Sequence, residues 1–466
     1  MKQSRIYLWL ALCVTMLIRL LSLGAYPLMD TTEARYGEMA RIMVQTHNWL
    51  TPMFDYNVPF WGKPPLFAWL SALGIKVFGV SEFAVRFPHW LVGVAVLGLI
   101  ACFARRIGVN ALMSATILAT TGIFAVSAGV VETDMSLTFA MTLSMVGFYL
   151  CWQDESKLWG YLGFVGLAIG LLAKGPLIIV LVGLAVMPWL IIQYGFKASF
   201  KQLWGRFPIV GGTILMLVIA VPWYVMAERA TPGFLHYFLV GEYVDRFLDP
   251  GWKGDLYGTA HERARGSIWL YWILSALPWS IVLPFVLWAK RKVIKPINEK
   301  MKPIISFSIC WLLSPLILFT FAGNILPAYV LPGIPALGIL LASIISEKQF
   351  EANWFKFSTA VSPVILIGAV IYIHFYVGDI RSDKIIFEHA NKALPTYYIG
   401  NRTFSGEYYS NGNAQLLKND NSLEKLRKFQ LVGIDKQVDP VIKLDKLNCQ
   451  VEFTAPSKRS LFLCEN

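Results

Sequence analysis

Stretches of about twenty residues with almost no charge recur along most of this chain, from Ile6 to Val377. An α-helix needs roughly that length to cross the hydrocarbon core of a bilayer. Hydrophobic residues make up 56% of the 466 positions and charged residues only 15%, a composition that is unusual for a soluble globular protein. The sequence therefore predicts an all-α polytopic membrane protein.

The stretches predict about eleven transmembrane helices. They cover residues 6–26, 83–104, 109–130, 135–152, 158–173, 176–194, 208–227, 267–289, 304–322, 326–346 and 357–377. With a cytoplasmic N-terminus, the basic connections at 105–106, 197–206 and 290–302 all lie inside, as the positive-inside rule requires. The net charge of +12 is therefore a topology signal, and no nucleic-acid partner is predicted.

The chain divides into a transmembrane domain, residues 1–378, and a hydrophilic C-terminal domain, residues 379–466. In the second, short β-prone stretches alternate with turn residues, which predicts a small α+β or mostly β module on the outer side. Cys449 and Cys464 both lie in this module. An oxidising compartment would allow them to form a disulfide.

The outer segment between the first two spans carries two amphipathic stretches, Thr31–Thr46 and Pro65–Phe78. Apolar residues at helical spacing on short segments are typical of helices that lie in the membrane interface. The Pro- and aromatic-rich residues between them predict an ordered crossing loop.

Charged residues gather on the same outer face, where the cost of charge near hydrocarbon favours paired or functional roles. They include Asp30, Glu33, Arg35, Lys63, Glu132, Asp134, Lys174, Glu242, Asp245, Arg246, His261, Arg263 and Arg265. Structural alternatives are an N-cap role for Asp30 and snorkelling for Lys63 and Lys174. Arg19, inside the first span, is interpreted as snorkelling or lipid-facing. Carboxylates beside cations suit a reaction in which a base activates a hydroxyl while cations hold a phosphate.

One series of motifs resembles a known family. The order "DTTEARYGEMARIM", "NWLTP", "GKPPLFAWL" and "FGVSEFAVRFP" is similar to the first outer loop of the lipid A aminoarabinose transferases and the related protein O-mannosyltransferases. These are membrane glycosyltransferases of the GT-C type. The similarity continues with Asp134 after the third span, "AKGP", "EYVDRF" and "NILPAYVLPGIPALGILLA".

The resemblance implies a GT-C fold and transfer of a sugar from a polyprenyl (undecaprenyl) phosphate carrier to an acceptor on the periplasmic face of a bacterial inner membrane. A glycolipid acceptor, lipid A above all, is favoured. Membrane lipids are further expected partners. A protein O-glycosyltransferase of the same fold and a polyprenyl-lipid transporter or flippase are the alternatives.

Site roles follow from the same resemblance and from the chemistry of the outer face. Asp30 is the favoured base, with Asp134 as its rival and Glu33 beside it. Lys63 is the first candidate for the donor phosphate, followed by Arg265, Arg263, His261 and Lys174. Arg35 is expected to position the acceptor.

The sequence departs from its relatives at two positions. Many aminoarabinose transferases carry Glu before the Lys-Pro-Pro triplet, where this chain has Gly62, and often Lys before the "LPxY" block, where it has Asn324 and Ile325. A metal ligand at the first position and a phosphate contact at the second are therefore absent or supplied elsewhere. No cofactor is predicted with certainty, and a divalent metal stays open.

Overall fold

The structure is a computed structural model. It describes residues 2–153, 156–249, 251–258, 261–290, 301–345, 349, 351–417, 426–434, 436–438, 441 and 447–465. The predicted basic connection at residues 290–302 lies outside the described residues except at its two ends.

Nine helices in the described part of the chain are long and apolar enough to cross a membrane. They are Arg5–Ser22, Glu82–Arg106, Asp134–Trp152, Lys157–Lys174, Leu177–Tyr194, Ile209–Ala230, Lys302–Thr320, Pro327–Ile344 and Asn353–Arg381. A tenth is obtained if Ser267–Ser275 and Trp279–Trp288, which meet at 92°, count as one broken span. The predicted polytopic membrane fold is confirmed.

The predicted span at 109–130 is wrong as a single helix. The chain forms Ala111–Ala119 and Gly122–Ser127 instead. The hydroxyls of Thr120 and Thr121 donate back to carbonyls of their own preceding turn, a competing bond that often bends helices. The Gly122 N–H then donates to the carbonyl of Leu277, 2.8 Å away, so the break is fixed by a neighbouring element.

Helix Asp134–Trp152 lies at the centre of the bundle, because 83% of its apolar window is buried. Ile209–Ala230 and Asn353–Arg381 lie at the periphery, with 22% and 17% buried. The main hydrophobic core fills the space between the spans and includes the fully buried Trp189 and Trp311. Asp134, the first residue of the central helix, is thereby held in a fixed place.

The outer segment after the first span contains helices Thr32–Thr46 and Leu66–Phe78, as predicted. The crossing loop between them forms a short antiparallel pair, β1 (Met53–Asp55) with β2 (Val58–Pro59). The other short helices are Phe196–Arg206, Phe234–His236, the π-helical Tyr237–Asp245, Arg246–Leu248, Lys384–His389 and Phe404–Tyr409.

The C-terminal region contains a five-stranded mixed sheet in the order β4-β3-β5-β7-β6. The strands are β3 (Thr396–Tyr398), β4 (Ala414–Leu416), β5 (Lys428–Gly433), β6 (Asn448–Thr454) and β7 (Ser460–Glu465). β3 is parallel to β4 and β5, whereas β7 is antiparallel to β5 and β6. This is the predicted α+β module. Cys449 and Cys464 face each other across β6 and β7 and form a disulfide.

Arg19 does not face lipid, so the interpretation of its side chain as snorkelling is wrong. The residue is 2% exposed. Its Nε donates to the carbonyl of Ala128 at 2.6 Å, and its Nη1 donates to Ser22 and Tyr26 at 3.0 Å. Hydropathy finds the span but does not tell which side of it faces protein.

Candidate active site

A cavity of about 770 Å³ opens where several spanning helices meet the outer segments. Its acidic lining residues are Glu33, Glu132, Asp134, Glu242 and Asp255. Its basic ones are Arg35, Lys63, Lys174, Arg246 and His261. On one side the wall is apolar and comes from spanning helices, through Leu177, Val180, Leu318 and Phe319. The cavity thus combines charged side chains of both signs with an apolar surface.

Lys63 and Arg246 share one carboxylate. Lys63 Nζ lies 2.6 Å from Glu242 Oε2, and Arg246 Nη1 lies 3.1 Å from Glu242 Oε1 and 3.3 Å from Asp255 Oδ2. Burial alone would raise the pKa of Glu242, but the two cations outweigh it and the pKa is lowered. Glu242 is therefore a carboxylate at neutral pH.

A second ion pair lines the same cavity, where Lys174 Nζ is 2.6 Å from Asp134 Oδ1. The same ammonium lies 4.4 Å from the centre of the Tyr329 ring. Lys174 is 6% exposed, so the snorkelling alternative does not hold for it. The end of one spanning helix and the start of another thus meet through a buried ion pair.

Glu132 lies two residues before Asp134 in the same turn. Burial, reinforced by the nearby Asp134 carboxylate, raises the pKa of Glu132 to about 8. Its Oε1 is buried and has no hydrogen-bond partner among the described residues. At neutral pH this side chain is a neutral acid, with one oxygen free to meet a bound molecule.

Arg35 is held by residues of the outer segments and of the C-terminal module. Its Nη1 donates to the carbonyl of Tyr257 at 2.6 Å, and its guanidinium lies 5.2, 5.8 and 5.9 Å from the ring centres of Tyr36, Phe60 and Phe404. In the described part of the chain it forms no ion pair, and its buried Nε has no acceptor. Arg35 is thus a cation with donors to spare.

Glu33 lines the cavity, but its carboxylate is engaged by Arg86. Arg86 Nε donates to Oε1 at 2.9 Å and Nη2 donates to Oε2 at 2.7 Å. Burial would raise the pKa of Glu33, and the Arg86 charge overcomes this and lowers it. Arg86 is fully buried and was not singled out from the sequence. A lone arginine inside an apolar helix is the signal that could have found it.

Asp30 does not line the cavity. Its Oδ1 accepts from the Ser405 N–H at 3.1 Å, and its Oδ2 accepts from the Ser405 hydroxyl. It does not cap the following helix either, because that helix begins after Thr31 without a side-chain cap, so the capping alternative is wrong. Burial raises the pKa of Asp30 to about 6 against the lowering effect of the Ser405 bonds.

Three phosphate-binding candidates lie in the loop before the broken span, and only one of them lines the cavity. His261 lines the cavity, and its pKa is lowered by burial and by the charge of Arg246. Arg263 and Arg265 are exposed and lie outside the lining. The structure therefore brings His261, Lys63 and Lys174 together and leaves the two arginines apart.

The sequence alone does not decide whether a divalent metal binds. In the regions that the structure describes, no group of three or more His, Cys, Asp and Glu side chains could hold a metal ion.

The fold and this cavity define a polytopic membrane protein of the GT-C glycosyltransferase type. Over 97% of both chains the fold is similar to ArnT from Cupriavidus metallidurans bound to undecaprenyl phosphate, with a TM-score of 0.77 at 19% identity. Residues 5–238 match the model of the dolichyl-phosphate-mannose-protein mannosyltransferase family. The chain belongs to this family.

Curated relatives are named undecaprenyl phosphate-alpha-4-amino-4-deoxy-L-arabinose arabinosyl transferase. The protein from Shewanella sediminis is 27% identical over 377 residues, which are 78% of this chain and 64% of the relative. The protein from Yersinia enterocolitica is 30% identical over 346 residues, 71% of this chain and 58% of the relative. The matches thus span about three fifths of the length of these relatives.

Proposed function

We propose that this chain is a membrane glycosyltransferase that transfers a sugar from undecaprenyl phosphate, or a similar polyprenyl phosphate, to lipid A or another glycolipid. The observation that carries the proposal is the cavity in which two ion-paired clusters meet an apolar wall at the ends of the spanning helices. The names of the curated relatives point to the same donor chemistry.

The donor phosphate is placed at Lys63 and Arg246. In the displacement, the bond from the sugar C1 to the phosphate oxygen breaks, and a new bond forms from C1 to the acceptor oxygen. Negative charge grows on the departing phosphate, so cations near its oxygens stabilise the transition state. Lys63 and Arg246 already bind one anion, the Glu242 carboxylate, and a donor phosphate bound there would share the two cations with it. Lys174 and His261 are the next candidates to contact the donor phosphate.

We assign Asp134 as the general base, which takes the proton from the hydroxyl of the acceptor. Of the three carboxylates proposed from the sequence, Glu33 is held by Arg86 and Asp30 by Ser405. Asp134 lines the cavity and is oriented by Lys174, so it can accept the proton of an acceptor hydroxyl. Neutral Glu132 beside it adds no charge that would repel the donor phosphate. Arg35 keeps its role in positioning the acceptor.

We further propose that the cavity faces the periplasm across a bacterial inner membrane, and that the chain divides into domains 1–378 and 379–466. The basic connections on the other face support this orientation. So does the Cys449–Cys464 disulfide, since disulfides persist in oxidising compartments.

The test is transfer by the purified chain in liposomes, with undecaprenyl phosphate-linked aminoarabinose as donor and lipid A as acceptor, read by mass spectrometry. We expect product with the wild type, a loss of about 10²-fold or more in Asp134→Asn, and little change in Asp379→Asn, an acid outside the cavity. Carrier movement without any transfer would support a flippase and contradict the proposal.

A protein hydroxyl is the second candidate acceptor. It is favoured by the match of residues 5–238 to a protein mannosyltransferase family model. Adding a Ser- and Thr-containing peptide to the same liposomes separates the two, because only one acceptor then gains the mass of the sugar.

A further inference from the structure

We propose that the C-terminal module forms the acceptor-side wall of the cavity through Phe404, and that Asp30 is the positioning residue that seats this wall. The inference rests on the proposed function, and it adds a residue and a part of the chain to the acceptor site.

Phe404 belongs to the wall of the cavity although it lies in a helix of the C-terminal module, Phe404–Tyr409. Its ring packs edge-on against Phe54 of β1, with ring centres 5.3 Å apart, and lies 5.9 Å from the guanidinium of Arg35. The module therefore supplies an aromatic surface directly beside the cation that has donors to spare.

The position of Phe404 is fixed by its neighbour in the chain. Both the N–H and the hydroxyl of Ser405 donate to the carboxylate of Asp30, and the Ser405 hydroxyl oxygen also accepts from the N–H of Asp383 at 2.9 Å. Hydrogen bonds to a charged carboxylate are among the stronger ones in proteins. Asp30 thus ties the start of the 404–409 helix to the residues just before helix Thr32–Thr46 in the outer segment.

Further contacts hold the same helix against the outer segment. Tyr409 OH accepts from the Leu28 N–H at 2.7 Å and donates to Glu82 at 2.9 Å. Arg402 Nη2 lies 2.6 Å from Asp55 Oδ2 and 3.1 Å from Glu407 Oε1. The module is therefore part of the cavity and not a loosely tethered appendage.

The side of the cavity that Phe404 occupies indicates which substrate it meets. A polyprenyl tail stays in hydrocarbon, so the carrier enters along the spanning helices, past Leu177 and Val180. Phe404 follows the last span and belongs to a hydrophilic module. The polar headgroup of the acceptor lies outside the hydrocarbon, so we assign it to Phe404 and Arg35, and its anionic groups suit the free donors of Arg35.

The experiment titrates purified lipid A and undecaprenyl phosphate separately against the full-length protein in detergent. The variants are Phe404→Ala, Phe404→Leu, Ser405→Ala and Asp30→Asn. Phe453→Ala is the matched control, because Phe453 is an aromatic residue of the same module that stacks on His389, away from the cavity.

We expect the Kd for lipid A to rise about tenfold in Phe404→Ala, the usual scale for a truncated aromatic contact in a binding site, with partial recovery in Phe404→Leu. Ser405→Ala and Asp30→Asn should each weaken lipid A binding, and the double variant by less than the sum of the two, because both remove the bond between the Ser405 hydroxyl and the Asp30 carboxylate. The Kd for undecaprenyl phosphate should stay within about twofold throughout, which also shows that the variants are folded.

Equal lipid A affinity in Phe404→Ala and the wild type would contradict the claim that Phe404 forms the acceptor-side wall of the cavity. If Asp30→Asn binds lipid A normally yet loses turnover, Asp30 is a catalytic base and its positioning role is refuted. A wild type that binds lipid A but not undecaprenyl phosphate would defeat the proposed function, while the lipid A titrations would still decide the role of Phe404. A wild type that binds no lipid A would overturn the inference.

Discussion

The sharpest prediction concerns Glu242. Its carboxylate forms ion pairs with Lys63 and Arg246, the two cations assigned to the donor phosphate. Lys63 and Arg246 each lie within about 3 Å of its carboxylate, and a phosphate bound there would share them with a fixed negative charge. Glu242→Gln removes that charge and keeps the size of the side chain. We therefore expect tighter binding of undecaprenyl phosphate in this variant.

The magnitude follows from the geometry. Two anions on the same pair of cations lie roughly 5 Å apart, and at an effective dielectric constant of about 20 their repulsion is ~3 kcal/mol. The Glu242 side chain is 4% exposed, so screening by water is weak. Relaxation of Lys63 and Arg246 toward other partners offsets about half of this, which leaves ~1.4 kcal/mol, or tenfold in Kd.

Titration of undecaprenyl phosphate into wild type and Glu242→Gln in detergent measures this difference. Asp245→Asn is the matched control, because Asp245 lies in the same π-helical segment but does not line the cavity. Inhibition by the product carrier should strengthen by the same factor as binding. Weaker or unchanged phosphate binding in Glu242→Gln would refute the reasoning and show that Glu242 orients Lys63 instead of competing for it.

Three further predictions follow from the charged groups. Lys63→Met should weaken both undecaprenyl phosphate binding and turnover, because the same cation faces the phosphate in the ground and transition states; an unchanged Kd would move the phosphate site elsewhere. Arg86→Met should lower the free energy of unfolding by ~3–5 kcal/mol, because it leaves Glu33 buried and unpaired; thermal unfolding in detergent measures this. In that variant the pKa of Glu33 rises above its unfolded value, so stability should fall as the pH rises, whereas the wild-type pair loses stability toward acid. With a pKa of about 8 for Glu132, donor binding should weaken above pH 8 as a second charge appears beside Asp134, and Glu132→Gln should bind the donor equally well at pH 7 and pH 9.

Local patterns predicted the elements that depend on local physics. Apolar spacing identified the helices Thr32–Thr46 and Leu66–Phe78 and nearly all the spans, because burial against lipid or protein needs the same periodicity. Counting charges on one face also gathered Lys63, Asp134 and Lys174, which do line one cavity.

Local patterns could not predict contacts between residues that are far apart in the chain. Nothing near Asp30 shows that its carboxylate binds Ser405, and nothing near Phe404 shows that its ring reaches a cavity built by the other end of the chain. Arg19 illustrates the same difficulty within a helix, since hydropathy is equal for a lipid-facing and a protein-facing position. The helix break at Thr120 likewise depends on a distant carbonyl, that of Leu277.

The cavity wall contains Thr31 from near the start of the chain and Phe404 from near its end. Ribosomal synthesis proceeds from the N-terminus, so every described span is made before the residue that closes the wall. A chain ending after Arg381 would keep the cations and carboxylates of the cavity but lack Phe404, so we expect it to bind lipid A more weakly than the full-length chain. Insertion into the membrane and full retention of the acceptor are therefore expected to depend on different parts of the chain, the spans for the first and the helix Phe404–Tyr409 for the second.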